Sequence, residues 1–449
     1  MTGRKLRPDR LLGTGLIGLL AAGCQSTDGF GDRLLSNPFE DQSNLEQRIA
    51  AQPQSENGLK LGAMLPATGE LGQLGRPMLQ TLPLLVDTVN RCGGVNQTFV
   101  SLVLENQVAQ PLEGAVALTK LVEGNRVSAV VGAFSNEVTA AALPVAVQDK
   151  VLLISPASSS PALTDRAEQG TFKDFWARTI PSDRQQGVAL ARLAEKRGFR
   201  DVAIVSVNRP EAIALAQSFT TAFEKQGGTV RDKTQPLRYN PGTDPLTLEE
   251  LAYAAFAPFD PPDAVLAILD RNGGASLMQS AIQLGLTQGI PVMLTDAVRM
   301  DAFLQRVGKA SNGTSLLTGA IGTAPAADGP GYADLAKLWQ EQFGGSPSSL
   351  VAQTWDAAAL VLLAAQAAKS NSREGIASKL RQVANPPGKT VTNVCEGLAL
   401  LKQGQEINYD GASGKVDINA AGDVQGSYEV WAINEKGQFD AIDRIRLEP

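Results

Sequence analysis

Three groups of side chains in this 449-residue chain have the types and spacing to hold a small charged molecule. Ser135 ends the stretch Val127-Ser-Ala-Val-Val-Gly-Ala-Phe-Ser135 and stands directly before an alanine-rich helical pattern. A hydroxyl there, with the unpaired amides of the first helical turn, can receive an anion such as a carboxylate. A second apolar run, Val151 to Ile154, opens into Ser155, Pro156, Ala157, Ser158, Ser159 and Ser160, whose hydroxyls and backbone groups can meet the same ligand. Asp270 and Asp296 each follow a further short apolar run, where a carboxylate can take an ammonium group. Each group also has an ordinary reading: a serine before a helix is most often a cap, serines around prolines a turn, and an acid after a strand a cap or a solvated loop side chain.

Other chemistries are excluded by composition. The chain has no histidine, which removes Ser-His-Asp and Cys-His catalysis, HExxH zinc sites and a histidine pH switch. No SxxK occurs, and Gly388-Lys389-Thr390 lacks the upstream glycine of a phosphate-binding loop, because Val383 occupies that place. Gly13-Thr-Gly15-Leu-Ile-Gly18 satisfies GxGxxG formally, but no strand precedes it. Losing four basic residues and Asp9 with residues 1–23 takes the formal charge from −6 to −9, which argues against binding a phosphate backbone. No enzyme activity, cofactor, metal or nucleic acid is expected.

The elements that must position these side chains alternate between strand and helix. Strands are expected at Leu59–Leu65, Phe99–Glu105, Val127–Val131 and Val151–Ile154, with helices at Gly72–Arg91 and Leu112–Glu123 between them. The series restarts after residue 181 with Val202–Val207, Ala264–Asp270 and Pro291–Thr295, separated by helices. Such a pattern gives an α/β fold of largely parallel, doubly wound sheets. Ligands bind outside the carboxyl ends of strands in these sheets, which is where both serine loops, Asp270 and Asp296 fall.

At the amino end, Arg4, Lys5, Arg7 and Arg10 precede an apolar run from Leu11 to Gly23 that is too short to span a bilayer as a helix. It ends in Leu20-Ala-Ala-Gly-Cys24, which looks like a bacterial lipobox, although Ala21 stands where leucine is usual. Residues 1–23 are therefore read as a signal peptide, Cys24 as the lipidated residue, and the polar stretch 24–57 as a tether.

The stretch Val127 to Thr164, with its strand, serine loop, helix, strand and Ser155-Pro-Ala-Ser-Ser-Ser-Pro-Ala-Leu-Thr164, resembles the leucine/isoleucine/valine-binding protein family, the type I periplasmic binding proteins. Phe175-Trp-Ala-Arg-Thr-Ile-Pro-Ser-Asp183 is similar to that family's first crossing between lobes, Gly319 to Pro325 to its second, and Ile407-Asn-Tyr-Asp-Gly-Ala-Ser-Gly414 to a motif of one branch at the third. The resemblance covers residues 58–449. It implies two doubly wound parallel-sheet lobes joined by three crossings, with 58–180 and 320–414 in the first lobe and 181–319 and 415–449 in the second. It also implies that Ser135, Ala157 and Ser159 meet the ligand from the first lobe and that Asp296 holds its ammonium from the second. Leu74, Glu211 and Asp270 stand where members often have aromatics; Leu74 would make that wall smaller and aliphatic, while Glu211 and Asp270 disfavour a branched aliphatic ligand and favour a polar or cationic one.

Cys92 and Cys395 are expected in the first lobe and, in an oxidising compartment, as a disulfide, with two buried free thiols as the alternative. These expectations together describe a periplasmic or cell-surface lipoprotein, anchored to a membrane by lipid, that delivers an amino acid or similar small zwitterion to an ABC permease. The rival is a non-transport regulator of the same fold, such as a penicillin-binding protein activator with a vestigial cleft.

Overall fold

The structure is a computed structural model and describes residue 55 and residues 57–447, apart from residues 70, 107–109 and 349. The expected signal peptide, Cys24 and nearly all of the expected tether lie outside the described residues.

Two large sheets carry the chain. Strands β1 (Lys60–Leu65), β2 (Ser101–Asn106), β3 (Ala129–Gly132), β4 (Leu152–Ser155) and β5 (Trp176–Arg178) are all parallel, in the order β2-β1-β3-β4-β5. Val130, Val131, Leu153 and Ile154 are fully buried, as strands covered by helices on both faces require. The strand order reverses between β1 and β3, so the loops after these two strands diverge and leave a crevice at their carboxyl ends. Gly132 permits the tight fit beside it: its φ is +145°, and a Cβ there would lie 2.4 Å from the Met64 carbonyl oxygen.

The second sheet contains β6 (Asp201–Val207), β7 (Thr229–Val230), β8 (Leu237–Tyr239), β9 (Ala264–Ile268), β10 (Val292–Thr295) and β11 (Ile321–Pro325). The ribbon β12 (Lys389–Val391) and β13 (Ile407–Tyr409) stands apart, and β14 (Ser427–Ile433) and β15 (Phe439–Arg446) complete the second sheet in the order β15-β14-β11-β10-β9-β6-β7, with β8 also on β6. Its central strands are parallel, while β14 and β15 run antiparallel along one side.

The chain passes between the sheets three times: after β5, after β11 and before β14. Two boundaries differ from expectation. Ile321–Pro325, expected at the edge of the first lobe, pairs with β10 and β14 and so belongs to the second sheet. Val416, Ile418 and Val424, expected in the second lobe, pack in the core with Leu61 and Leu360 of the first. Apolar burial decides both cases, since each segment joins the sheet that covers its side chains.

Helix Val351–Ala368 is long and apolar enough to cross a membrane by length and composition, but it is buried in the core of the first lobe. Its one carboxylate, Asp356, is fully buried and accepts from the Tyr409 hydroxyl at 3.0 Å, the Ala412 and Ser413 amides at 2.8 and 2.7 Å, and the Ser413 hydroxyl at 2.5 Å. Burial nonetheless raises its pKa to about 6. A Cβ on Gly411 would lie 2.3 Å from that carboxyl group, which explains the glycine in Asn-Tyr-Asp-Gly-Ala-Ser-Gly414. Cys92, after helix Gly72–Arg91, and Cys395, in helix Val394–Lys402, are joined by a disulfide with Cα atoms 5.9 Å apart.

Candidate functional site

A cavity of about 460 Å³ lies where the carboxyl ends of the two sheets face each other. Leu74, Ser135, Ala157, Ser159, Asp270 and Asp296 all line it, although they come from five separate stretches of chain.

The first-lobe wall is built from the two serine loops. Ser135 caps helix Asn136–Gln148, its hydroxyl oxygen accepting from the Val138 amide at 3.4 Å. That leaves the hydroxyl hydrogen available to an incoming anion, so the cap and the ligand role are compatible. Ser155 and Ser158 are turned inward. The Ser155 hydroxyl donates to the Ala133 carbonyl at 2.7 Å and accepts from the Ser158 amide at 2.8 Å, while the Ser158 hydroxyl lies 2.7 Å from that of Thr139. These bonds lock the second loop against the first and leave Ala157 and Ser159 on the cavity side.

Arg178 fixes the same loop from behind. It is fully buried and donates to the Ser158 and Ser160 carbonyls at 3.1 Å each, to Thr164 at 2.6 Å, and to Asp423 at 2.8 Å. Thr164 in turn donates to the other Asp423 oxygen at 2.7 Å. A buried guanidinium with a carboxylate and three further acceptors meets the conditions under which a buried ion pair is tolerated.

The second-lobe wall is acidic. Asp296 follows β10 and accepts from the Gln186 side-chain amide at 2.8 Å, while Gln186 also donates to the Thr323 carbonyl at 3.0 Å. Burial raises the pKa of Asp296, and the Gln186 bond partly offsets the rise. Asp183, the first residue of helix Asp183–Lys196, lies beside it and is 9% exposed. Burial first, and the charge of Asp296 second, push its pKa from 3.8 up to about 7, with the Ser159 hydroxyl pulling it back. Asp270 is partly committed: one oxygen caps helix Arg271–Gln283 through the Gly274 amide at 3.0 Å and accepts from the Tyr239 hydroxyl at 2.8 Å.

Sequence reasoning missed Asp183, Gln186 and Arg178. Arg178 and Asp183 lay inside the stretch read as a crossing, and Ser182-Asp183 reads as an ordinary helix opening. For Asp183 and Gln186 the available signal was position, at the start of the helix that follows the crossing and so beside the cleft, whereas Arg178 is buried behind the loop and gave no such signal.

Among the described residues neither Asp183 nor Asp296 forms a salt bridge. Two buried carboxyl groups that feel each other's charge favour having one of them protonated, and a ligand ammonium between them removes that conflict. Hydroxyls and helix amides on one side and carboxylates on the other therefore match a molecule with both charges.

Residues 78–436 match the receptor family ligand binding region. A chemotactic signal transduction system substrate-binding protein of Halobacterium salinarum is 28% identical over 84% of this chain and 87% of its own length. A Leu/Ile/Val-binding protein of Rhizobium johnstonii is 26% identical over 50% of this chain, which spans 61% of that relative. Among solved structures, a leucine binding protein from Thermotoga maritima has the same fold, with a TM-score of 0.68 at 24% identity over 86% of this chain and 99% of that one.

Proposed function

The chain belongs to the receptor family ligand binding region, as a two-lobed type I periplasmic binding protein, and on that premise we propose that it binds an amino acid or similar small zwitterion in the interlobe cleft and hands it to an ABC permease. The observation that carries this reading is the Asp183–Asp296 couple, without a salt bridge among the described residues, facing the Ser135 helix terminus across one cavity. Ser135 and Ser159 take the carboxylate, Ser159 turning its hydroxyl from Asp183 to the ligand, while Asp183 and Asp296 take the ammonium and Ala157 and Leu74 form an aliphatic wall. The protein works outside the cytoplasm, tethered through lipid on Cys24, which frees the lobes to close around the ligand away from the membrane surface.

A thermal-shift screen of ligand-stripped protein against amino acids tests the binding. At least one should raise Tm in a concentration-dependent way, as mass action requires of a ligand that binds only the folded state. If no amino acid or small zwitterion does so, the transport reading fails and a regulator that uses its outer surface replaces it. Intact mass of the mature amino terminus tests the anchor: an acylated Cys24 is expected, and a soluble chain cleaved elsewhere removes the tether from the account.

A further inference from the structure

Three neighbouring parallel strands deliver carboxylates to the cavity in a row. Asp296 follows β10, Asp270 follows β9, and Glu211 lies just beyond the end of β6, in the first turn of helix Pro210–Lys225. β9 pairs with β10 on one side and with β6 on the other, so the row extends over two strand spacings, about 10 Å. Asp183 stands at the Asp296 end. Val207 and Ile268, also lining the cavity, supply apolar surface along the row.

The basic residues of the cavity are spoken for. Arg209 reaches Glu137 across the mouth at 3.8 Å, Arg299 is paired with Glu429, and Arg271 is not free. Among the described residues Glu211 and Asp270 form no salt bridge. One ammonium placed between Asp183 and Asp296 would leave Asp270 with only its helix cap and the Tyr239 hydroxyl, and Glu211 with only a share of the Arg209 charge that also faces Glu137, and closing a cavity over carboxylates so weakly compensated is unfavourable.

Building on the amino-acid reading of this same cleft, we propose that the ligand carries a second cationic group, an ammonium or guanidinium at the end of its side chain, held by Glu211 and Asp270. A basic amino acid fits the row: its aliphatic stem lies along Val207 and Ile268 and its two cations meet the two ends.

Titration calorimetry on ligand-stripped protein with lysine against norleucine, and arginine against citrulline, isolates the second charge, since each pair differs chiefly in that group. At least one basic member should bind tenfold or more tighter than its neutral partner, and Glu211→Gln or Asp270→Asn should shrink that ratio below threefold. Neutral partners that bind as tightly as the basic ones overturn the second cation and leave amino-acid binding intact. A basic preference that survives both substitutions overturns the assignment to these two residues. Failure of all four compounds, and of every amino acid in the thermal-shift screen, overturns the amino-acid reading and the second cation with it.

Discussion

Asp183 occupies a place where an ionised carboxylate is poorly tolerated, packed in the cleft beside Asp296, and its pKa accordingly stands at about 7 instead of 3.8. The linkage sign follows from the direction of that shift. The folded ligand-free protein binds a proton that the unfolded chain has released, so stability from this group is full below about pH 4 and is lost as pH rises to about 7. Asp183→Asn mimics the protonated form at every pH. Its Tm advantage over wild type, measured without ligand, should therefore grow from pH 4 to pH 8 by the equivalent of about 2–4 kcal/mol, and a difference independent of pH would contradict this assignment. Ser135, Ala157, Ser159, Asp270 and Asp296 could be placed at the sheet edges from the sequence because each lies close beyond a strand end, and parallel strands deliver those ends to a common edge, whereas Leu74, inside helix Gly72–Arg91, was placed by the family resemblance alone. Asp183 could not, because its environment is set by burial and by Asp296, which lies far away in sequence and reaches it only through the folding of the second lobe.

Elements were legible where the apolar period was uninterrupted. Helix Gly72–Arg91 has the bounds its pattern suggests, even with Pro77 and Pro83 inside it. The short strands β7 and β8 carry too few residues to show a period, and the core that covers the apolar residues of β11 is assembled from segments distant in sequence, so its place in the second sheet was not legible. The Asn408–Gly414 stretch was legible as a motif but not in its physical task, which is to supply donors to Asp356 from another element. Asp356→Ala would leave the Tyr409 hydroxyl and the Ala412 and Ser413 amides without their acceptor. Urea denaturation of that variant should show a loss of at least about 3 kcal/mol, since each buried unpaired donor costs about 1–3 kcal/mol. A loss under about 1 kcal/mol would mean the third crossing is held by apolar packing instead.

The two-lobe plan was legible from the restart of the strand and helix series after residue 181, because each half needs its own sheet to bury its helices. The disulfide ties the whole first lobe, bridging residues 303 apart in sequence. Non-reducing peptide mapping should recover Cys92 and Cys395 in one linked pair, and Cys395→Ser should lower stability by up to about 5 kcal/mol in the chain-entropy account; free thiols in protein isolated under oxidising conditions would contradict the pairing. The central claim is that closure of the lobes is coupled to a zwitterion whose ammonium meets Asp183 and Asp296. Titration calorimetry of the best amino acid from the screen, on wild type, Ser135→Ala and Asp296→Ala, tests it most directly. Micromolar binding corresponds to about −8 kcal/mol. Ser135→Ala should cost about 1–2 kcal/mol, because helix amides still face the carboxylate, and Asp296→Ala about 2–5 kcal/mol, enough to remove measurable heat. Binding by Asp296→Ala as tight as wild type would contradict the account.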